Sequence, residues 1–212
     1  MTKRQNIALI LNIAAFVFGC VGIIFRLMHS LGDFFLYYTQ ISNVIAVISS
    51  AMYIAFRNTD SGKMRTFVIC TRYLTACMLT MTFIVVMCIF IPMSGGAATR
   101  RLLGSVNGIM HHAVCPVISV TSYIFFEDGV KTRKAMLIPF IATAIYSFTI
   151  YTLNFLRLAG APYPFFEVYD HPVHELVIWF FALMALVAAI AAAVRFANLK
   201  LSREKEKEHE VP

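Results

Sequence analysis

The sequence predicts an all-α polytopic membrane protein, a bundle of six transmembrane helices with the N and C termini cytoplasmic. Three observations carry that reading. Of the 212 residues, 59% are apolar and 14% charged, whereas a soluble domain has roughly 45–50% and roughly 25%; mean hydropathy is +0.75. The chain also contains six long stretches without Asp, Glu, Lys or Arg: Gln5–Phe25, Phe34–Phe56, Tyr73–Thr99, Leu102–Phe126, Ala135–Leu156 and Leu176–Val194. Each reaches or approaches the roughly 20 residues a helix needs to cross about 30 Å of hydrocarbon. Finally, the basic residues alternate in density from one connection to the next. A soluble enzyme, a disordered chain and a nucleic-acid-binding domain are excluded on these grounds.

The first helix is expected at about 6–27. Met1-Thr2-Lys3-Arg4 before an apolar run also fits a signal peptide, but the run exceeds a usual h-region. Val17-Phe18-Gly19-Cys20 matches a lipoprotein cleavage box only loosely, with bulky Phe18 in it, so a retained helix is expected. The second helix, 34–56, carries Thr39, Ser42 and Asn43 at i, i+3 and i+4 on one face, with Ser50 deeper. The third, 68–93, aligns Thr71, Thr75 and Thr82. On the fourth, 102–126, Asn107, His111, Cys115, Ser119 and Ser122 share a face, and His112 is turned away by about 100°. The fifth, 135–157, aligns Thr143, Ser147, Tyr151 and Asn154, and the sixth covers 173–196. A charged cytoplasmic tail, 197–212, follows; Lys and Glu alternate from Ser202 to Glu210, as in a solvated helix end. Residues 1–212 thus form a single transmembrane domain.

Six spans place both termini on one side. Fourteen of the 18 Lys and Arg residues fall there, against Arg26, Arg100, Arg101 and Arg157 on the other. The positive-inside rule makes the richer side cytoplasmic. The net charge of +7 is then a topology signal, and no nucleic-acid partner is expected. The five cysteines lie in or beside apolar spans without a C-x-x-C pair, and are expected to act as small buried hydrophobes. No glycine-rich phosphate loop is present and no cofactor is expected.

Within a bilayer, polar side chains turn toward the bundle interior, where Ser and Thr commonly serve only as packing glue. An intramembrane histidine is a functional candidate in its own right. His111 and His112 lie about nine residues, or roughly 13 Å, past the expected start of the fourth helix, and Thr39 about five residues, or roughly 8 Å, into the second. Both helices begin at the outer face, so imidazole and hydroxyl share the outer half of the membrane with Tyr151 and Asn154. A hydroxyl near a neutral imidazole is the minimum for an activated oxygen nucleophile. Asp170-His171-Pro172-Val173-His174-Glu175 offers carboxylates and imidazoles, but Pro172 breaks the helical register and the spacing fits no standard zinc pattern, so a solvated loop or helix cap is expected and no metal. His29 and His209 are isolated surface-type histidines.

Three stretches together resemble a known family. Phe35-Leu36-Tyr37-Tyr38-Thr39-Gln40-Ile41-Ser42-Asn43 resembles the aromatic-Thr-x-x-Ser-Asn element of certain bacterial six-helix membrane proteins. Asn107-x-x-x-His111-His112-x-x-x-Pro116 resembles their fourth-helix element, and Pro162-Tyr163-Pro164-Phe165-Phe166-Glu167-Val168 their loop before the last helix. Those proteins are similar to the androgen-induced membrane hydrolases of animals, which cleave fatty acid esters of hydroxy fatty acids with a threonine and a histidine.

The resemblance implies an intramembrane lipid-ester hydrolase in the bacterial plasma membrane, with Thr39 as nucleophile, a fourth-helix histidine as base and a fatty-acyl ester as substrate. His111 keeps the Asn-x-x-x-His spacing and is favoured; His112 keeps the His-x-x-x-Pro spacing. Ser42, Asn43, Asn107, Tyr151 and Asn154 are candidates to hold substrate or oxyanion. The alternatives are a small-solute or proton-coupled transporter, which intramembrane histidines suit although no interrupted helix pair is visible, and a non-catalytic lipid-binding membrane protein.

Overall fold

A computed structural model of the chain describes residues 2–29 and 31–210, the side chains at 94, 95, 97, 98, 101 and 203–210 excepted. It is all-α, without a strand among the described residues. The helices are α1 (Lys3–His29), α2 (Tyr38–Phe56), α3 (Gly62–Ile84, continuing through Val85–Phe90 and Ile91–Leu103), α4 (Val106–Ile109, Met110–Val114 and Cys115–Phe126), α5 (Leu137–Phe155) and α6 (Val173–Glu210). Six spans among the described residues are long and apolar enough to cross a membrane. The protein is a multi-pass membrane protein. The side chains of the alternating Lys/Glu tail beyond Ser202 and that of Arg101 lie outside the described residues.

Local chemistry sets the helix ends. Ser61 Oγ accepts the Met64 amide at 3.4 Å at the start of α3, and Ser105 Oγ accepts the Gly108 amide at 3.0 Å at the start of α4, each satisfying one of the orphan donors of a helix N-terminus. Several boundaries differ from expectation, among them a third helix that starts at Gly62 and not at 68 and a sixth that runs to Glu210 and not to 196. Residues Phe34–Leu36 form a 3-10 turn, so α2 starts only at Tyr38. The third helix runs on to Leu103, and the fourth starts at Val106 once Gly104 and Ser105 have separated the two.

α3 is central. Half of its most apolar window is buried, against 28% for the first and fifth spans, and it packs on α2, α4, α5 and α6. Ile10, Ile48, Ile145, Phe148 and Phe181 face outward, as expected where lipid is the surroundings. Of the cysteines, Cys77 and Cys115 are buried, but Cys88 is exposed, contrary to the expectation for all five. Two ends can be distinguished: one carries the start of α1 and the end of α6 with the 57–61 and 127–132 connections, the other the 31–37, 104–105 and 156–172 connections.

One feature of the interior is not visible in the hydropathy pattern. Arg72, counted above among the loop-side charges, sits ten residues into α3, about 15 Å along its axis, with 1% of its side chain exposed. It grips Glu127, from the end of α4, through Nε to Oε2 at 2.9 Å and Nη2 to Oε1 at 2.7 Å. Its Nη1 donates to Ser50 and Ser119, both at 3.2 Å. Asn12 and Ser122 donate to Glu127 Oε1 at 2.9 and 2.6 Å. Side chains of α1, α2, α3 and α4 thus converge on one buried ion pair, which meets the requirement that buried charge be paired and its remaining lone pairs satisfied.

Candidate functional site

At the end away from the termini lies a cavity of about 700 Å³ lined by Thr39, Gln40, Asn107, His112 and Tyr163, with Phe25, Val86 and Phe90 as apolar wall. Its volume lies within the range of small-molecule clefts, roughly 300–1,000 Å³. Arg26, paired with Asp33 at 2.6 Å, also lines it.

Thr39 lies in the first turn of α2, closer to the end of the bundle than a helix start at 34 implied. It is 5% exposed. Its carbonyl is clamped by Ser42 Oγ at 2.9 Å and Asn43 Nδ2 at 2.8 Å. Ser42 reaches Thr82 as well, at 3.2 Å. Ser42 and Asn43 therefore hold the α2 backbone and do not line the cavity.

Two prolines shape the walls. In α4 the Cys115 amide bonds the Met110 carbonyl, five residues back, in the manner of a π turn. An α-turn would have given that amide to His111, and a continued π-turn would need an N–H from residue 116, which is proline and has none. The His111 carbonyl is thus without a helical donor, and Asn43 Nδ2 supplies one at 3.2 Å. In α3 the Ile91 amide bonds the Val86 carbonyl ahead of Pro92, and Val86 and Phe90 of that widened segment line the cavity. Asn43→Ala is expected to destabilise the protein by about 1–3 kcal/mol, the cost of a buried polar group left unsatisfied. Thermal unfolding in detergent reads this, and an unchanged midpoint would overturn it.

The widened turn also decides between the two histidines. His111, favoured on helical spacing, is fully buried and lines no part of the cavity. Its Nδ1 meets the Gln40 side-chain amide at 3.0 Å and its Nε2 the Gly19 carbonyl at 3.4 Å. It fits against α1 because residue 22 is glycine; a methyl there would lie 2.3 Å from His111 Nε2. His112 takes the cavity instead. Its Nδ1 lies 2.9 Å from the Leu102 carbonyl. A carbonyl only accepts, so Nδ1 carries the hydrogen and the lone pair of the neutral ring is on Nε2. Thr39 and His112 both line the cavity, and among the described residues no direct hydrogen bond joins them.

Asn107 lines the same cavity, and its Oδ1 is buried without a partner. Tyr151 and Asn154 do not line it. Tyr151 donates to the Phe165 and Leu176 carbonyls, both at 3.2 Å, and Asn154 Oδ1 accepts the Val168 amide at 2.9 Å. Both staple the loop between α5 and α6.

That loop contributes a residue the helical faces could not reveal. Tyr163 stacks on Phe90 at 5.8 Å between ring centroids, and it lines the cavity together with Thr39 beside the open N-terminus of α2. Desolvation keeps the phenol protonated, its pKa pushed up to about 12 against the opposing influence of neighbouring Thr39. At neutral pH it is therefore a neutral donor beside Thr39. In the sequence, only its place in the 162–168 stretch that carries the family resemblance marks it.

The Asp170–Glu175 segment sits apart from the cavity. There His171 Nδ1 lies 3.0 Å from Glu175 Oε2, and among the described residues no group of three or more His, Cys, Asp or Glu side chains is arranged to hold a metal ion. Comparison with family models, curated proteins and solved structures found no match for this chain.

Proposed function

We propose that this protein is an intramembrane hydrolase of lipid esters, with Thr39 as nucleophile and His112 as general base. The observation that carries the reading is that a hydroxyl and an imidazole with its lone pair on Nε2 line one mostly apolar cavity near an end of the bundle. The resemblance of three sequence stretches to lipid-ester hydrolases points the same way. The bacterial plasma membrane and cytoplasmic termini, inferred from that resemblance and from the basic-residue bias, put the cavity at the outer leaflet.

His112 Nε2 takes the Thr39 hydroxyl proton as Oγ1 attacks the ester carbonyl. The tetrahedral intermediate collapses to an acyl-threonine, and the alcohol leaves with the proton returned from His112. Water, deprotonated by the same nitrogen, then releases the fatty acid and restores the hydroxyl. The Leu102 carbonyl fixes the ring tautomer, the part a carboxylate plays in a Ser-His-Asp triad. Tyr163, a phenol that stays protonated at neutral pH, and the amide of Asn107 are the donors available to an oxyanion in this cavity. Phe25, Val86 and Phe90 suit an acyl chain.

A serine/threonine-directed fluorophosphonate probe tests this. Wild type is expected to label, Thr39→Ala to lose all label and Thr39→Ser to retain it. An unlabelled wild type, or equal labelling of wild type and Thr39→Ala, would sink the nucleophile.

One observation favours transport as a second reading. A further cavity of about 970 Å³ opens at the opposite end, and buried Asn43, Ser49, Ser50, Thr75 and Ser119 lie along the helices between the two. Transport requires no acyl-threonine, so an unlabelled wild type counts for this reading against hydrolysis.

A further inference from the structure

The cavity at the terminal end is chemically unlike the first. Lys3, Arg4, Arg57, Arg65 and Arg72 line it, against the carboxylates of Glu127 and Asp128. Both carboxylates already have a cation: Glu127 is gripped by Arg72 at 2.7 Å, and Asp128 pairs with Arg65 at 2.7 Å. Lys3, Arg4 and Arg57 have no carboxylate partner among the described residues. Arg4 Nη2 donates to the Glu127 carbonyl at 2.7 Å and Arg57 Nη1 to the Ile54 carbonyl, contacts that position two guanidinium groups without neutralising them. The Nε of each is buried and has no partner. Arginine presents a planar fork of donors matched to phosphate oxygens, and a positive cavity with apolar walls concentrates anions.

We infer that this cavity is a binding site for a phosphate-bearing anion, held by Arg4 and Arg57 with Lys3 at its rim. The Arg72–Glu127 pair forms its floor and remains intact when the site is filled. The walls also contain Ile7, Phe56 and Phe126, which would suit the glycerol and upper acyl carbons of an anionic phospholipid; the same donors would hold free phosphate. Basic pockets between transmembrane helices are a recognised way of holding anionic headgroups. This assignment is independent of hydrolysis at Thr39.

Purified full-length protein titrated with dihexanoyl-phosphatidylglycerol, inorganic phosphate and dihexanoyl-phosphatidylcholine, read by the shift in thermal unfolding, tests it. Phosphatidylglycerol or phosphate is expected to bind more tightly than phosphatidylcholine, and whichever of the two binds identifies the source. Arg57→Gln and Arg4→Gln are each expected to weaken that binding about tenfold, the loss of a charge-assisted hydrogen bond. Arg57→Lys, which keeps the charge but not the fork, is expected to fall between. Lys134→Gln, at the same end but outside the cavity, is expected to leave affinity unchanged. If Arg57→Gln does not fold, Arg4→Gln near the chain start decides alone. Binding no tighter than phosphatidylcholine in wild type, or wild-type affinity in the Arg→Gln variants that fold, would overturn the site.

Discussion

Replacing Arg72 with methionine is expected to lower the unfolding midpoint by on the order of 10 °C. Removing one partner of a buried ion pair costs about 3–5 kcal/mol, since the other charge is left without compensation, and a chain of this size loses about 2–4 °C per kcal/mol. Here Asn12 and Ser122 would still donate to Glu127, but the bidentate guanidinium contact would be gone. The double variant Arg72→Met/Glu127→Leu is expected to recover most of the loss, because two buried charges replaced by apolar groups of similar volume are often neutral or stabilising. Cys77 and Cys115 are buried free thiols while Cys88 is exposed, so a thiol-reactive dye followed during heating reads the transition as a rise above the Cys88 baseline. An Arg72→Met midpoint at the wild-type value, or a double variant no more stable than the single, would refute the account of the network.

The second large effect separates the histidines. His112→Ala is expected to slow fluorophosphonate labelling of Thr39, and any esterase activity, by about 10²–10⁴-fold, the usual worth of a general base. His111→Ala is expected to keep the labelling chemistry and lower the unfolding midpoint instead, because it removes the side chain packed between Gln40 and Gly19. The helical spacing of the sequence alone favours the reverse outcome. Loss of labelling in His111→Ala with His112→Ala unaffected would return the base to His111 and discard the tautomer argument built on Leu102.

Much of the site was legible beforehand, and the part that was not failed for identifiable reasons. Thr39 stands out because a polar run opens an apolar helix, and the histidines because imidazole is costly in a bilayer. Choosing between His111 and His112 from an ideal wheel assumes 100° per residue throughout. Pro116 removes the N–H that would continue the ladder, the turn from Met110 widens, and Asn107 and His112, not Asn107 and His111, line the cavity. Ser42, Asn43, Tyr151 and Asn154 fall at plausible polar positions, yet each is engaged by a backbone group that no wheel displays.

The burial of Arg72 is hidden from the sequence for a related reason. Counting charges by connection treats an arginine near a helix end as solvated, whereas Glu127, 55 residues away in sequence, removes it from water. Tyr163 reaches Thr39 from a loop 124 residues along the chain, which local periodicity cannot express.

The sequence by itself determined that this protein spans a membrane six times, since insertion depends on apolar length summed locally along each segment. It also put Thr39 and the two histidines at one end of the bundle, because span order alone fixes which helix starts share a side. Only the tertiary structure decided which imidazole lines the same cavity as Thr39, which polar groups serve the backbone and which arginine is buried. Those outcomes depend on distances between residues far apart in sequence, and on two prolines that change the phase of the helices carrying them.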